Sequence, residues 1–334
     1  MKVAVCYNDP LKEPKRGEPL DRISEEGARH EAEAVSQAVL RLGHEPILLP
    51  LTADLEGFLT ALRQAKPDVV FNLCEGFSGE SSQEMHVAAL LELLGYPVTG
   101  SPPLTLGLTQ DKVLTKELLE RHGIPTPRWI KVPPGEKVPV HNLAWPLIVK
   151  PRAEDASLGV TAQSVVWTMA ELRRQVAFIH GRYQQDALVE EYIDGRELNL
   201  AIIGNGTPDT LPASEIRFAA GSRRVVTYAG KWLTDSADFR DTPPRCPAPL
   251  TLAIARILKD LALAAYKMGG CRDYARIDFR LRNGEPFVLE INANPDISPD
   301  AGLARSAAAA GISYDELISR ILAMAEARRE VSFA

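Results

Sequence analysis

The first hundred residues alternate short apolar runs with amphipathic segments, and this order restricts the possible folds more than any other feature of the chain. Apolar runs at residues 3–6, 47–49 and 69–73 have the length and composition of buried strands. Residues 24–42 and 55–64 lie between them, and their apolar side chains recur with the helical period. This alternation predicts a parallel sheet covered by helices on both faces.

Two polar segments follow the first and third predicted strands, at residues 7–9 (Tyr-Asn-Asp) and 74–76 (Cys-Glu-Gly). Because the carboxyl ends of parallel strands meet at one edge of the sheet, we expect ligands to gather there. Gly100, Pro102 and Pro103 then mark the end of this unit. The chain has 334 residues, more than one compact core usually holds, which predicts two or three domains.

The overall composition argues against several classes of partner. The net charge is −6 and the sequence contains no basic stripe, which disfavours nucleic acid. No apolar run approaches the length of a membrane span, so no membrane partner is expected. The acidic balance instead favours small-molecule substrates. The four cysteines show neither metal-binding nor disulfide spacing, which favours a cytoplasmic location.

The rest of the chain mixes helices with strands that do not follow the parallel pattern. Helices are predicted at residues 111–122, 253–268 and 314–327, and strands at residues 147–150, 188–191 and 198–203. Residues 276–281 and 286–291 are predicted to form a hairpin around Asn283 and Gly284. The polar residues 221–249 are interpreted as a surface loop. The fold class is therefore α/β followed by α+β.

The predicted hairpin carries the strongest functional signal. Asp278 alternates with apolar residues on one strand, as Glu290 and Asn292 do on the other. A two-residue turn would place Asp278 and Glu290 on opposite faces, whereas a three-residue loop at 282–284 would place them on one face. We predict the three-residue loop, because two carboxylates and an amide then form a hard-oxygen site suited to Mg²⁺. A solvated face of an edge hairpin is the simpler alternative.

Two lysines are candidates for phosphate contacts. Lys150 ends a predicted strand and precedes a small-residue loop that contains Ser157, an arrangement that suits a phosphate. Lys112 lies at the start of a predicted helix, where the helix terminus also favours anions. For each lysine alone, an ordinary surface position is the better explanation. The acidic segment 188–197 has the groups to pair with an adenine and hold a ribose, but alone it is more simply an acidic turn.

Taken together, these motifs resemble the ATP-grasp superfamily, and within it the D-alanine–D-alanine ligase family. The resemblance extends from about Val70 to the last helix and rests on the order of five motifs. These are Lys112 with Gly123-Ile124-Pro125, Val149-Lys150-Pro151, residues 190–197, Arg276-Ile277-Asp278 and Glu290-Ile291-Asn292. It implies an ATP-grasp fold with a Rossmann-like N-terminal domain (1–103), a central subdomain (104–188) and a C-terminal subdomain (189–334).

The resemblance also implies a role for each matching residue. Lys112 and Lys150 would contact the ATP phosphates, and Glu197 would hold the ribose. The adenine pocket would be lined by Glu190, Glu191, Tyr192 and Ile193. Two Mg²⁺ ions, for which Mn²⁺ is a possible substitute, would be bound by Asp278, Glu290 and Asn292. The catalytic residues would be Arg276, which steadies the transferred phosphate, Lys231 on a mobile loop over ATP, and Ser157 at the family's Gly-Ser-Ser position.

An enzyme of this type joins a carboxylate to an amine through an acyl phosphate made with ATP. Acyl phosphates hydrolyse readily, so residues 227–240 are expected to act as a lid that excludes water. Members of the family are often dimeric, and a homodimer is a further expectation.

The chain departs from the family on the substrate side. The glycine-rich loop that reads the first D-alanine is replaced by residues 7–10. The family's Pro-Gly-Met-Thr segment and later serine, which bind the second D-alanine, are here Pro295-Asp296-Ile297-Ser298 and Ala301. A ligase for another amino acid or amino-acid-derived substrate is therefore expected, with Glu75, Glu80, Asp296 and Arg305 as substrate candidates. The alternatives are a D-alanine–D-alanine ligase with altered recognition residues, a non-catalytic ATP-binding regulator and an ATP-grasp kinase.

Overall fold

The computed structural model describes residues 1–9, 22–222 and 224–329 of the chain. Its first elements are β1 (Lys2–Asn8), α1 (Arg22–Arg41), β2 (Glu45–Leu51), α2 (Leu55–Ala65), β3 (Val69–Leu73) and α3 (Glu84–Leu93). The three strands form one parallel sheet in the order β2-β1-β3. The strand–helix alternation therefore predicted the N-terminal sheet correctly.

A four-stranded antiparallel sheet occupies the middle of the chain. The elements here are α4 (Pro103–Gln110), α5 (Lys112–Arg121), β4 (Trp129–Val132), β5 (Leu147–Pro151), β6 (Val165–Val166), α6 (Met169–Tyr183) and β7 (Ala187–Glu191). The strand order is β4-β7-β5-β6. Helix α6 covers one face of this sheet, where Leu172 and Ile179 pack with Val149 and Val189 in a buried cluster.

The third sheet carries the predicted hairpin. Its region contains β8 (Arg196–Ile203), β9 (Asp209–Thr210), β10 (Ser214–Ile216), α7 (Tyr228–Trp232), α8 (Ala237–Arg240), β11 (Pro244–Arg245), α9 (Leu252–Gly269), β12 (Tyr274–Arg282), β13 (Glu285–Asn292), α10 (Gly302–Ala309) and α11 (Tyr314–Glu326). The strand order is β11-β10-β8-β12-β13, with β9 paired to β8. Helix α9 packs on one face through Leu258 and Ala262, against Leu200 and Ile277.

The N-terminal sheet and the third sheet share one hydrophobic core. Val5 and Phe71 of the first sheet belong to the same buried cluster as Ala201 and Tyr274 of the third, together with Ile318 of α11. The large apolar area buried there fixes the two sheets against each other. As a result, the carboxyl ends of β1 and β3 lie beside the segment that follows β13.

The hairpin itself differs from the prediction in one informative way. Arg282 pairs directly with Glu285, so the turn consists of only Asn283 and Gly284, both with positive φ (52° and 84°). The predicted three-residue loop is therefore wrong. Asn-Gly is the sequence that a two-residue turn with two left-handed residues requires.

A β-bulge brings the two acids onto one face instead. Asp278 pairs with Glu290, but Phe279 pairs with Val288, so Leu289 is the extra residue. The bulge shifts the alternation of β13 by one position. Val288 and Ile291 are both buried although they are three residues apart, which an unbroken strand does not allow.

The polar segment 221–249 is more ordered than the predicted surface loop, because it contains α7 and α8. Thr227 caps α7 by accepting from the Gly230 N–H (3.0 Å), and Ser236 caps α8 by accepting from the Phe239 N–H (3.0 Å). The Thr227 hydroxyl also donates to Asp238 (2.6 Å), which ties the two helices together.

The predicted division into three domains stays a prediction, and β7 lies across its second boundary. In the described part of the chain, no helix is both long and apolar enough to cross a membrane.

Candidate active site

The face of the hairpin that turns away from the core holds a compact group of charged side chains. Arg276 binds Asp278 through two hydrogen bonds, from Nε to Oδ1 and from Nη2 to Oδ2, each 2.7 Å long. Asn292 Nδ2 also donates to Asp278 Oδ2 (3.1 Å), which leaves the amide oxygen of Asn292 to act as an acceptor or ligand. Glu290 is the direct cross-strand neighbour of Asp278. The bulge therefore brings together all three predicted metal ligands and Arg276.

This donor set fits Mg²⁺. In the described part of the chain, no three His, Cys, Asp or Glu side chains are grouped closely enough to hold a metal on their own. The hairpin supplies two carboxylates and one amide, which are hard oxygen donors and fewer than the six that Mg²⁺ requires. Mg²⁺ commonly binds one or two protein carboxylates and completes its shell with substrate phosphates and water.

Positive charges converge on Glu290. Burial alone would raise the pKa of its carboxyl, but the charges of Lys112, Lys150 and Arg276 hold that pKa below the ordinary value. Lys112 Nζ lies 3.8 Å from Glu290 Oε2. Glu290 is thus ionised at neutral pH and faces the side of the cleft that carries the lysines.

Lys112 is buried at the start of α5, with its amino group turned towards the cleft. Asp111 caps this helix by accepting from the N–H groups of Val113 and Leu114. Lys112 Nζ donates to the Glu154 carbonyl (2.6 Å) and to Asp155 Oδ1 (3.1 Å). Lys112 is therefore in place to meet an anion beside Glu290, with Asp155 as its present partner.

The second predicted phosphate lysine, Lys150, forms an ion pair with Glu190 of the neighbouring strand, at 2.9 Å. The other oxygen of Glu190 is held by Lys116. Burial alone would raise the pKa of Glu190, but the two lysines lower it to about 2. The carboxylate of Glu190 lines the cleft as predicted, and it is the shared counter-ion of two lysines.

A cavity runs between the second and third sheets, and its walls contain most of the predicted nucleotide residues. The predicted residues that line it are Lys112, Lys150, Ser157, Glu190, Glu191, Tyr192, Ile193, Glu197, Asp278 and Glu290. Ile148, Val160 and Val225 form an apolar wall with the Tyr192 ring. An apolar slot that ends in acids and lysines suits a flat base joined to a charged chain.

Glu197, the predicted ribose residue, lies on the cavity wall. It lies 2.6 Å from Arg280 Nη2. Arg280 in turn packs over the ring of Tyr192, with 5.7 Å between the guanidinium carbon and the ring centroid. Glu191, by contrast, directs its carboxylate away from the cavity to Arg128 (3.1 Å) and to the Ala144 N–H (2.8 Å).

The small-residue loop after Lys150 is conformationally unusual. Ala156 and Ser157 both have left-handed backbones, with φ of 55° and 61°. Non-glycine residues in this region carry about 1–3 kcal/mol of strain each, and such strain is concentrated at functional sites. The Ala156 carbonyl accepts from Trp232 Nε1 (3.0 Å), and the Tyr228 N–H donates to the Val160 carbonyl (3.1 Å). The predicted lid therefore packs on the loop that contains Ser157.

Lys231, on the same lid helix, lies outside the walls of the nucleotide cavity. Burial raises the pKa of Asp278 and of Glu75 on the other side of the cleft, and the charge of Lys231 opposes both increases; the same charge helps to hold the pKa of Glu290 below its ordinary value. Lys231 therefore lies between the predicted metal ligands and the predicted substrate residues.

The carboxyl ends of β1 and β3 meet as predicted. Asn8 Nδ2 donates to the Gly76 carbonyl (2.8 Å), and the Glu75 N–H donates to Asn8 Oδ1 (2.7 Å). Loss of water inside the cleft raises the pKa of Glu75 to about 7, and the charges of Asp296 and Asp155 add to this effect. Two of the four substrate candidates, Glu75 and Asp296, are thus close enough to interact.

The other two substrate candidates have different surroundings. Arg305 is half-buried on α10, where loss of water and the neighbouring Arg276 charge lower its pKa. Its Nη2 donates to the Asp300 carbonyl (2.5 Å). The backbone of Glu80 pairs with that of Phe77 in an isolated bridge.

Three residues of the site were missed in the sequence. Lys116 follows Lys112 by four positions, so helical spacing predicts that it lies on the same side of α5. Arg280 follows Asp278 by two positions and shares its face of β12. Glu31 of α1 accepts from the Ile297 N–H (2.8 Å), and its pKa is raised well above normal by burial and by the charges of Asp296 and Glu75; no local motif marks it.

Comparisons with known proteins agree with this geometry. A family model described as "D-ala D-ala ligase C-terminus" matches residues 118–323. A D-alanine–D-alanine ligase of Moorella thermoacetica is 31% identical over 335 residues, which cover 97% of this chain and 99% of that protein. The chain belongs to the D-alanine–D-alanine ligase family. It is accordingly an ATP-grasp ligase, of the class that forms carbon–nitrogen bonds.

Two further comparisons extend this result. An uncharacterized protein of Sinorhizobium fredii, y4sG, is 39% identical over 331 residues, covering 96% of this chain and 93% of that protein. The crystal structure of a D-alanine–D-alanine ligase from Bacillus anthracis complexed with ATP superposes with a TM-score of 0.78 and covers 99% of both chains. At 24% identity, that structure establishes the ATP-grasp fold alone.

Proposed function

We propose that this protein uses ATP and Mg²⁺ to activate a carboxylate as an acyl phosphate and then joins it to an amine, with an amino acid other than the standard D-alanine pair as a substrate. The observation that carries the proposal is the placement of Asp278, Glu290 and Asn292 on one face of a bulged hairpin. Lys112 and Lys150 lie across the same cavity. Negative charge that develops on a transferred phosphoryl group is stabilised by such an arrangement.

The chain's own residues divide the work as follows. Lys112 and Lys150 bind phosphate oxygens, and Tyr192 with the apolar wall holds the base. Asp278, Glu290 and Asn292 would hold the Mg²⁺ ions, which would supply neutralisation of charge on the phosphates. Arg276, fixed by its two bonds to Asp278, presents its guanidinium towards the reacting carboxylate. The lid that carries Lys231 excludes water, so that the acyl phosphate meets the amine first.

The charged side chains on the substrate side of the cleft favour a substrate that carries an amino group. Glu75, Asp296 and Glu31 lie near one another. Besides burial, the charge of Asp296 raises the pKa of both Glu31 and Glu75, and the charge of Glu75 also raises the pKa of Glu31. Such a group of carboxylates is stabilised by an ammonium group. Arg305 lies near Asp296 and Arg276, where a guanidinium is suited to a carboxylate. An amino acid carries both groups.

ADP release with different amino acids tests the proposed substrate preference. The assay contains ATP, Mg²⁺ and either D-alanine alone or one member of a panel of L- and D-amino acids, singly and in pairs. We expect background release with D-alanine alone and clear release with another amino acid, whose product is then identified by mass. Turnover with D-alanine alone, at least as fast as with any other substrate, would establish a D-alanine–D-alanine ligase instead.

Replacing Arg305 with methionine is expected to raise the KM for one amino-acid substrate by about tenfold or more, because a charged hydrogen bond to a carboxylate is lost. The KM for ATP should change little, since Arg305 lies outside the nucleotide cavity. Steady-state kinetics with each substrate varied in turn measure both effects. Arg320→Met on the exposed side of α11 is the control. Equal effects on ATP and on the amino acid would contradict the assignment.

The rate is expected to depend on the ionisation of Glu75. With its pKa near 7, this carboxyl is ionised above pH 7 and protonated below it. If the carboxylate orients the amine or accepts its proton, kcat/KM for the amine should fall more steeply below pH 7 than protonation of the amine alone explains. The Glu75→Gln variant should lose this extra steepness. An unchanged pH profile in the variant would show that ionisation of Glu75 does not affect the rate.

A further inference from the structure

Lys116 is a fully buried lysine that takes no part in the proposed binding or catalytic steps. Its side chain is 1% exposed. The ammonium group binds the Glu190 carboxylate, Thr126 Oγ1 (2.7 Å) and the Pro127 carbonyl (3.4 Å). A lysine has three N–H donors, so the protein occupies all the donors of Lys116 and leaves it unable to reach a ligand.

Lys150 differs from Lys116 although both bind the same carboxylate. The Lys150 side chain is 15% exposed, lines the nucleotide cavity and lies 2.9 Å from the second oxygen of Glu190. Glu190 itself is 1% exposed. One carboxylate is therefore shared by a fixed lysine on α5 and by a lysine on β5 that faces the cavity.

We propose that Lys116 is a positioning residue that neutralises Glu190 and thereby lets Lys150 exchange Glu190 for a phosphate oxygen of ATP. This inference rests on the proposed function, because it assumes that Lys150 binds a phosphate. When Lys150 turns to the nucleotide, Glu190 keeps Lys116 as its partner and no buried charge is left alone.

The reason lies in the cost of an uncompensated buried charge. Breaking a buried ion pair by removing one partner is strongly unfavourable, because the remaining charge is neither solvated nor paired. Without Lys116, movement of Lys150 to ATP would leave the carboxylate of Glu190 in that state. ATP binding would then have to supply the free energy for breaking the Lys150–Glu190 pair.

A double-mutant cycle on the whole protein tests the proposal. Calorimetry measures the Kd for the Mg²⁺ complex of the non-hydrolysable analogue AMP-PNP. The variants are Lys116→Met, Glu190→Gln, the two combined, and Lys131→Met. Lys131 is an exposed lysine on β4 and serves as the control. We expect Lys116→Met to weaken binding by about tenfold or more, and the Lys131 variant to bind like the wild type.

The Glu190→Gln background distinguishes positioning from simple support of the fold. With no buried carboxylate to neutralise, Lys116→Met should weaken binding by less than about threefold relative to Glu190→Gln alone. This comparison also stands if the Lys116→Met single variant fails to fold, which a thermal melt without nucleotide shows. An equal loss in both backgrounds, or wild-type affinity in the single variant, would overturn the proposal. Failure of the wild type to bind the analogue would instead refute the proposed function.

Discussion

Replacing Glu290 with glutamine is expected to lower kcat by about 10²–10³-fold, the loss that follows removal of one group that stabilises charge in a transition state. Glu290 is the cross-strand neighbour of Asp278 and faces Lys112 across 3.8 Å. Glutamine has nearly the same shape but cannot carry the negative charge that attracts Mg²⁺. The measurement is the rate of ADP release at saturating ATP and Mg²⁺ with the amino-acid substrate found in the panel.

The same hairpin provides a matched control for this prediction. Glu285 begins β13 and is exposed to solvent, far along the strand from the bulge. Glu285→Gln therefore makes the same chemical change on the same strand and should leave kcat unaltered. Thermal melts should show that both variants are folded at the assay temperature, since the change at Glu290 conserves volume. Near-normal turnover in Glu290→Gln would refute the metal assignment.

The largest expected loss of stability comes from Asp273, at the junction of the N-terminal sheet with α11. This carboxylate has no exposed surface. It accepts from the Gly100 N–H (2.9 Å), from Asn205 Nδ2 (2.8 Å) and from both terminal nitrogens of Arg328 (2.7 Å each). Asp273 thus joins three parts of the structure. These are Gly100 after β3, Asn205 after β8 of the third sheet, and Arg328 after α11.

Asp273→Asn is expected to lower the free energy of unfolding by about 2–4 kcal/mol, because a fully buried carboxylate that accepts from both terminal nitrogens of Arg328 loses its charge. Asparagine tolerates the left-handed backbone at this position (φ 65°), so the change tests the charge and not the backbone. Urea unfolding measures the loss. The control is Asp315→Asn, which breaks the exposed pair with Arg41 and should cost much less. Equal losses in the two variants would contradict the role assigned to Asp273.

The regular parts of the fold were predictable because local patterns determine them. The alternation of apolar runs with helical segments predicted the parallel sheet. The helical period of the apolar residues in α9 and α11 predicted these two helices. Helix α6 was missed although Leu172, Val176 and Ile179 recur with the helical period and Thr168 caps its first turn. That signal was present in the sequence and was overlooked.

The hairpin shows what local patterns leave open. The convergence of Asp278 and Glu290 was predicted, but the cause assigned to it was wrong. A bulge depends on which residues of β13 the core accepts, here Val288 and Ile291, and therefore on contacts with α9 and β8. The two-residue turn, by contrast, is predictable from Asn283-Gly284 alone, because this pair favours two left-handed residues.

The residues that line the cavity were selected by the order of motifs, whereas their partners were not predicted. Lys150 and Glu190 lie 40 residues apart, and only the pairing of β5 with β7 makes them neighbours. Glu31 lies on α1, far in sequence from Ile297, and reaches it only because two sheets share one core. Such contacts follow from tertiary packing, which a single sequence does not encode locally.

Transfer of oxygen from the substrate to phosphate tests the central claim most directly. Every amino acid needed for ADP release is labelled with ¹⁸O in both carboxylate oxygens and incubated with the enzyme, ATP and Mg²⁺ in unlabelled water. An acyl phosphate carries one carboxylate oxygen between carbon and phosphorus, and attack of the amine on carbon leaves that oxygen on phosphate. We expect each released phosphate to contain one ¹⁸O atom. Unlabelled phosphate would show that the carboxylate is never phosphorylated.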